Sequence, residues 1–242
     1  MKVSFIVVFG IQKMSSLFYQ IHTDLMRSIV GEYKNNADGF KYSKIVSIDD
    51  AMHHATQGSA KELDLSQLPN LITQNVNTFL EIGSFLGVSF RFIYETFRPN
   101  ISFSIDPNIP HRTFHNPRSV FKKLNRNHLN NIVLIDGYWH EESSVAKVKN
   151  DQSQIIKSDY FHNILFDLIL IDADHTYEAL SGQFFEALKM LSPDGCILIH
   201  DVYSWEPVRK FVRELDNDNR FMLEYTSTKG IDGFCSVKRR QE

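Results

Sequence analysis

From residue 77 onward the sequence alternates between short apolar runs and amphipathic stretches. The runs are Thr78–Ile82, Ile101–Asp106, Ile132–Asp136, Phe166–Asp172 and Cys196–Asp201. Runs that are apolar on both faces are typical of parallel strands covered by helices on both sides. Between the last two runs, Leu180, Phe184 and Leu188 recur at helical spacing. The alternation predicts repeated βα units, an α/β fold and a mostly parallel sheet.

The two ends of the chain differ from this pattern. Phe221–Tyr225 and Phe234–Val237 are separated by glycines, which predicts a C-terminal antiparallel hairpin. The polar, irregular stretch before residue 76 predicts an N-terminal helical extension over 1–75, with the sheet domain over 76–242. The apolar start allows three interpretations: a packed segment, a signal peptide, or a true start at Met14.

Composition excludes several classes of protein. The 242 residues include 29 acidic and 26 basic side chains, a net charge of −3, which argues against a binder of nucleic-acid backbones. No apolar run reaches the 18 residues of a membrane span. Cys196 and Cys235 both lie in apolar segments, as buried thiols of a reducing compartment do, and we expect a cytoplasmic protein.

The first apolar run is followed by a glycine loop. Gly83 and Gly87 permit a tight turn before a helix. The second and third glycines of a dinucleotide fingerprint would fall on Phe85 and Leu86, so the loop is poorly suited to a pyrophosphate. Glu81 instead suits a ligand with a positive amino group and no phosphates. A plain glycine turn between strand and helix is the alternative.

The second and third runs also end in candidate binding residues. Asp106 lies 23 residues after Gly83, where an acid can accept hydrogen bonds from both ribose hydroxyls of an adenosine. The alternative is a turn-starting aspartate before Pro107. After the third run, Gly137 and Tyr138 place an aromatic ring where an adenine would lie, although such a ring can also simply cover the core.

Asp172 and Asp201 end the last two runs, which are expected to be neighbouring strands. Two carboxylates at adjacent strand ends would share a proton or a hard cation such as Mg²⁺. His175 follows Asp172 closely and could take a proton from a substrate hydroxyl. Asp174 or Thr176 is expected to cap the next helix.

With these motifs in order, the chain from about Asn77 to Val237 resembles the class I S-adenosylmethionine-dependent methyltransferases. It is most similar to the catechol-type and the antibiotic- or sugar-tailoring O-methyltransferases. The resemblance implies a Rossmann-like, doubly wound sheet of seven strands. It also implies residues that hold S-adenosylmethionine: Glu81, Gly83, Ser84 and Gly87 at the methionine part, Asp106 at the ribose, Gly137 and Tyr138 at the adenine, and Asp172 beside them.

In metal-dependent members of the family, acids matching Asp172 and Asp201 bind a divalent cation, and His175 falls near the general base. Two departures leave the cation open. Catechol-type members have an amide where this chain has Val202, and some tailoring relatives have an acid where it has His200. His200 is therefore a candidate third ligand for Mg²⁺ or another divalent cation, unless strand alternation turns it into the core.

The resemblance predicts transfer of a methyl group to an oxygen of a small molecule or glycan, with Asp172 and His175 as catalytic residues. A non-catalytic relative that binds the cofactor and acts as an interaction protein is the first alternative. A nicotinamide-dependent oxidoreductase is the second, which the missing glycines disfavour. We expect no nucleic-acid or membrane partner and leave a homodimer open.

Overall fold

The structure is a computed structural model of the full chain. It describes residues 14, 16–30, 53, 55, 59–109, 114, 116–140, 154–227 and 231–241. Residues 1–13, on which the three interpretations of the start depend, lie outside the described residues. No helix in the described ranges has the length and apolar character that crossing a membrane requires.

One mixed sheet of eight strands forms the centre of the molecule. The strands are β1 Thr78–Ile82, β2 Ile101–Asp106, β3 Ile132–Trp139, β4 Gln154–Ile156, β5 Phe166–Ile171, β6 Leu191–His200, β7 Phe221–Tyr225 and β8 Phe234–Arg239. Their order across the sheet is β4-β3-β2-β1-β5-β6-β8-β7. The first six are parallel, and β8 pairs antiparallel with both β6 and β7. The predicted fold class and C-terminal hairpin are confirmed.

The expected count of seven strands is wrong. The additional strand is β4, which pairs with the end of β3 through Gly137 and Trp139. It has only three residues, Gln154–Ile156. A strand this short contains too few residues to show a periodic pattern, so the sequence alone did not predict it.

Helices cover the sheet on both faces. They are α1 (residues 16–30), α2 Glu62–Leu65, α3 Leu68–Leu71, α4 Val88–Phe97, α5 Pro117–Leu124, α6 Tyr177–Leu188 and α7 Glu206–Asp216, with 3₁₀ turns at Leu129–Asn131 and Ser158–Phe161. The side-chain oxygen of Thr176 accepts from Ala179 N at 3.4 Å and caps α6, as the sequence predicted.

The buried apolar residues of the described ranges form three clusters, and strand alternation directs the side chains of the sheet into two of them. In β1, Leu80 and Ile82 face one cluster together with Phe184 of α6 and Phe211 of α7. Phe79 faces the other, which includes residues of the N-terminal segment and of α4: Ile21, Leu65, Leu68, Phe90 and Phe92. The described parts of 1–75 thus share a core with the sheet, and the boundary at residue 75 stays a prediction.

The strand register aligns the carboxyl ends of the central strands. Ile82 at the end of β1 lies opposite Ile105 on one side and Ile171 on the other. Ile171 in turn lies opposite Ile199. The chain runs outward from β1 through β2 and β3 to β4 and then crosses back to β5 on the other side of β1. This reversal makes the edge a topological switch point, where ligands bind in such sheets.

Candidate functional site

The loop after β1 has a backbone that only glycine fits. Gly83 has φ of +84°, and a Cβ there would lie 2.1 Å from the carbonyl oxygen of Asp172. Gly87, the N-cap of α4, has φ of +80°, and its Cβ would lie 2.3 Å from the ring of Phe121. The loop is therefore pressed against the end of β5, with no room for a side chain at Gly83.

Glu81 lies beneath this loop and is completely buried. Its Oε1 accepts a hydrogen bond from the hydroxyl of Ser89, whereas Oε2 has no partner among the described residues. Burial raises the pKa of Glu81 well above its usual value. Burying a carboxylate oxygen without a hydrogen-bond donor costs free energy. A ligand that donates a hydrogen bond or carries a positive charge would therefore stabilise this residue.

A cavity of about 220 Å³ opens between the ends of β1, β2 and β3. We call it the tyrosine pocket; its lining includes Gly83, Phe85, Asp106, Gly137, Tyr138, Trp139 and Asp172. Tyr138 is buried, and Trp139 is fixed by a 3.0 Å hydrogen bond from its Nε1 to the carbonyl oxygen of Gln183. The predicted residues Asp106, Gly137 and Tyr138 thus line one cavity.

Asp106 is held rigidly at the rim of the tyrosine pocket. Its Oδ2 accepts from Phe85 N at 2.9 Å, and its Oδ1 accepts from Asn108 N at 2.7 Å. Burial raises the pKa of this carboxyl, although the positive charge of Arg118 opposes that effect. Because each carboxylate oxygen has two lone pairs, Asp106 can still accept from two hydroxyl groups of a ligand.

Arg118 of α5 supports the side of the site that contains the tyrosine pocket. It was not predicted from the sequence. It is 3% exposed, and it donates to the hydroxyl of Ser104 at 2.6 Å and the carbonyl oxygen of Ile135 at 3.0 Å. The Ser104 hydroxyl also hydrogen-bonds that of Ser84 in the glycine loop. Arg118 therefore links the glycine loop to the ends of β2 and β3.

A second cavity, of about 320 Å³, lies on the other side of the glycine loop. We call it the histidine pocket; its lining includes Ser59, Ala60, Gly83, Ser84, Phe85, Ser89, Asp172, His175, His200, Asp201, Trp205 and Asp232. Gly83, Phe85 and Asp172 line both cavities. The two cavities are therefore next to each other and share these three residues as part of their walls.

Two aspartates and two histidines meet in the histidine pocket. His175 Nε2 lies 2.7 Å from Asp201 Oδ2 and 3.8 Å from Asp172 Oδ1. His200 Nδ1 lies 3.1 Å from Asp172 Oδ1. One ligand atom each from Asp172, His175 and Asp201 lie within 4.8 Å of one another. These two carboxylates and one imidazole form a set of donors typical of a divalent cation site.

The carboxylates change the proton affinity of both imidazoles. Burial by itself would lower the pKa of His175, but hydrogen bonding and charge from Asp172 and Asp201 raise it to about 10. Burial likewise opposes the effect of Asp172 on His200, whose pKa rises to about 9. Burial by itself would raise the pKa of Asp172, but the two imidazoles lower it below its usual value. Without a cation, both histidines are therefore protonated at neutral pH.

Trp205 forms part of the outer wall of the histidine pocket. Its ring stacks on His175 with centroids 5.0 Å apart and an interplanar angle of 7°. The side chain is 50% exposed, which is high for a tryptophan. Trp205, Ser59 and Asp232 were not predicted from the sequence, because each comes from a segment without a recognisable motif.

A family model for a methyltransferase domain matches residues 80–202, just over half of the chain. The chain belongs to this methyltransferase family. The matched segment contains the glycine loop, the ends of β2, β3 and β5, and the His200-Asp201 pair. The resemblance to class I S-adenosylmethionine-dependent methyltransferases is thereby confirmed. No protein with a curated description matches this methyltransferase.

Solved structures share the fold at low sequence identity. A methyltransferase from Geobacter sulfurreducens has a TM-score of 0.56 and 11% identity, covering 87% of this chain and 95% of that one. A Podospora anserina methyltransferase bound to SAH has 0.51 and 16%, covering 88% of each chain. An O-methyltransferase of Streptomyces achromogenes involved in tomaymycin synthesis, in complex with SAM, has 0.50 and 18%, covering 82% and 93%.

Proposed function

We propose that this methyltransferase transfers the methyl group of S-adenosylmethionine to a hydroxyl oxygen of a small molecule or sugar, with a divalent cation in the histidine pocket. The observation that carries the proposal is the shared wall of the two pockets. Asp172 lines both, and its carboxylate lies beside His175 and His200. A cofactor in one pocket and a hydroxyl acceptor in the other would meet at this wall.

The residues around the tyrosine pocket fit S-adenosylmethionine. When bound, this cofactor supplies a methyl group made reactive by its positive sulfur. Glu81, whose Oε2 has no partner in the described part of the chain, would pair with the amino group, and Gly83, Ser84 and Gly87 form the loop that would hold the methionine part. Asp106 retains lone pairs for the ribose hydroxyls. Gly137, Tyr138 and Asp172 would line the adenosine part.

The residues of the histidine pocket fit a divalent cation. His175 Nε2 lies 2.7 Å from Asp201 Oδ2 and 3.8 Å from Asp172 Oδ1, so a single ion could contact all three groups. A divalent cation supplies positive charge that lowers the pKa of a nearby hydroxyl.

His175 serves as a ligand rather than a free general base in this proposal. With a pKa near 10 it is protonated at neutral pH when only Asp172 and Asp201 surround it, and a protonated imidazole cannot accept a proton. His200 was expected as the third ligand. Since its Nδ1 lies 3.1 Å from Asp172, we assign it instead to orienting that carboxylate.

Bringing the reacting atoms into line accounts for a large part of the rate enhancement in methyl transfer. The glycine loop and Asp106 would fix the cofactor, while Asp172, Asp201 and His175 would fix the acceptor hydroxyl. Trp205 would cover the outer side of the acceptor. The cytoplasmic location, the lack of nucleic-acid and membrane partners and the homodimer stay predictions.

The test is calorimetry with S-adenosylmethionine, followed by an acceptor screen over sugars and phenols with Mg²⁺ or with a chelator. We expect binding without any added cation, and methylated product, detected by mass spectrometry, only with the cation. Product formed equally well in the chelator would remove the cation from the proposal. Cofactor binding without turnover on any acceptor would favour the non-catalytic alternative.

A further inference from the structure

A second group of possible ligands lies behind the histidine pocket. It consists of Asp64 of α2, His200 at the end of β6 and Asp232 in the β7–β8 connection, with one ligand atom of each within 4.8 Å of the others. Asp64 and His200 are buried, and Asp232 lies at the edge of the histidine pocket. None of these atoms belongs to the group formed by Asp172, His175 and Asp201.

His200 is oriented as a metal-binding histidine would be. Its Nδ1 faces Asp172 at 3.1 Å, whereas its Nε2 has no hydrogen-bond partner in the described part of the chain. The residue is only 5% exposed, so water cannot readily satisfy that nitrogen. Histidines that bind metals usually donate their other ring N–H to a carboxylate, which fixes the tautomer and leaves a lone pair for the ion.

The two acids of the group have unused acceptor capacity. The carboxylate of Asp64 accepts from Asp232 N and Gly233 N, both at 3.2 Å. Asp232 Oδ1 accepts from the hydroxyl of Ser204 at 2.5 Å. Each carboxylate has about four lone-pair sites, so both can bind an ion without losing these bonds.

The charge balance of the region also favours additional cations. Four carboxylates, those of Asp64, Asp172, Asp201 and Asp232, surround two imidazoles. Within the described ranges no lysine or arginine forms an ion pair with any of the four. Even two protonated histidines would leave two negative charges uncompensated, and partly buried charges need partners.

We propose that Asp64, His200 and Asp232 form a second site for a divalent transition-metal ion such as Mn²⁺. One imidazole nitrogen with carboxylate oxygens suits such an ion better than Mg²⁺, which prefers oxygen alone. The ion would fasten α2 to the β7–β8 connection beside the acceptor. The inference does not depend on the proposed function, because its three ligands are not those of the cation proposed there.

Titration of the metal-free full-length protein with Mn²⁺ tests this site, by calorimetry and by electron paramagnetic resonance. We expect two Mn²⁺ per chain in the wild type, with a spectrum broadened by coupling between neighbouring ions. Asp232→Asn and Asp64→Asn should each bind one ion. Glu62→Gln, an exposed acid on the same helix as Asp64, should still bind two. Thermal unfolding checks that the variants fold, and Asp232→Asn carries the test if Asp64→Asn does not.

Asp201→Asn distinguishes this proposal from the cation of the proposed function; asparagine tolerates the positive φ of 63° there. One ion in the wild type that is lost in Asp201→Asn and kept in Asp232→Asn would overturn the second site alone. One ion in the wild type that is kept in Asp201→Asn and lost in Asp232→Asn would support the second site and overturn the cation proposed for catalysis. Absence of any bound ion would overturn both.

Discussion

The tyrosine pocket and the histidine pocket share one wall but are built differently. The first is formed mainly by residues at or just after the ends of β1, β2, β3 and β5, and Asp106 is held there by backbone amides of its own and the neighbouring loop. The second combines residues 59–60, 172–175, 200–205 and 232, which are far apart in the sequence. Residues near strand ends therefore form most of the first pocket, whereas the second also needs residues 59–60, 205 and 232, which other segments bring to it.

The electrostatics of the two pockets differ in the same way. In the tyrosine pocket the carboxylate of Asp106 is balanced by amide donors and by Arg118. The histidine pocket places Asp172 and Asp201 against two imidazoles whose pKa values they raise to about 10 and 9. The first arrangement suits recognition of a fixed ligand, and the second suits control of charge during a reaction.

The largest effect on turnover is expected from a change at His175, which lines the histidine pocket and not the tyrosine pocket. His175→Ala should lower kcat by about 10²–10⁴-fold, the range for loss of proton-transfer catalysis, because the cation that would help the acceptor hydroxyl to lose its proton loses a ligand. The dissociation constant of S-adenosylmethionine, measured by calorimetry, should stay within about twofold, since His175 does not line the tyrosine pocket. His162→Asn, an exposed histidine elsewhere, is the matched control. Full activity in His175→Ala would contradict the assignment of the reaction to the histidine pocket.

A change at Asp106 is expected to have a smaller effect, and to weaken cofactor binding rather than slow turnover. Asp106→Ala should weaken S-adenosylmethionine binding by about 10–100-fold, as loss of hydrogen bonds to a charged group does. At saturating cofactor, kcat should change little. Asp159→Ala is the control, because Asp159 is exposed and does not line the pocket. An unchanged calorimetric affinity in Asp106→Ala would contradict the cofactor assignment.

The smallest effect is expected at Trp205. Trp205→Ala should raise the KM of the acceptor by about 3–10-fold, since an aromatic contact contributes about 0.5–1.5 kcal/mol beyond its buried area. Cofactor affinity should not change, and Trp205→Phe should recover most of the loss. A larger change in cofactor affinity than in acceptor KM would mean that Trp205 acts on the cofactor in the tyrosine pocket rather than on the acceptor.

The amount predictable from the sequence follows the same division. Gly83, Asp106 and Gly137 lie within a few residues of apolar runs, so strand topology alone places them at one edge. Asp172, His175, His200 and Asp201 were predicted for the same reason. Trp205 and Asp232 reach the pocket through a helix start and a hairpin connection, and no local pattern encodes such long-range contacts.

The two histidines show a further limit of the sequence. His175 was expected as a base and His200 as a ligand, yet the spacing along the chain does not determine how either ring is turned. In the structure His175 Nε2 faces Asp201, and His200 Nδ1 faces Asp172. Ring orientation depends on packing, here on Trp205 for His175 and on Phe234 for His200. Roles that depend on one nitrogen atom therefore require the folded structure.

The close approach of Gly83 to Asp172 has a consequence for regulation. Because a Cβ at Gly83 would lie 2.1 Å from the Asp172 carbonyl oxygen, the backbones of two residues that line both pockets are in close contact. A ligand in one pocket that shifts this contact would alter the free energy of binding in the other. Thermodynamic linkage requires the coupling to be reciprocal: a cofactor that tightens acceptor binding is itself bound more tightly by the same factor.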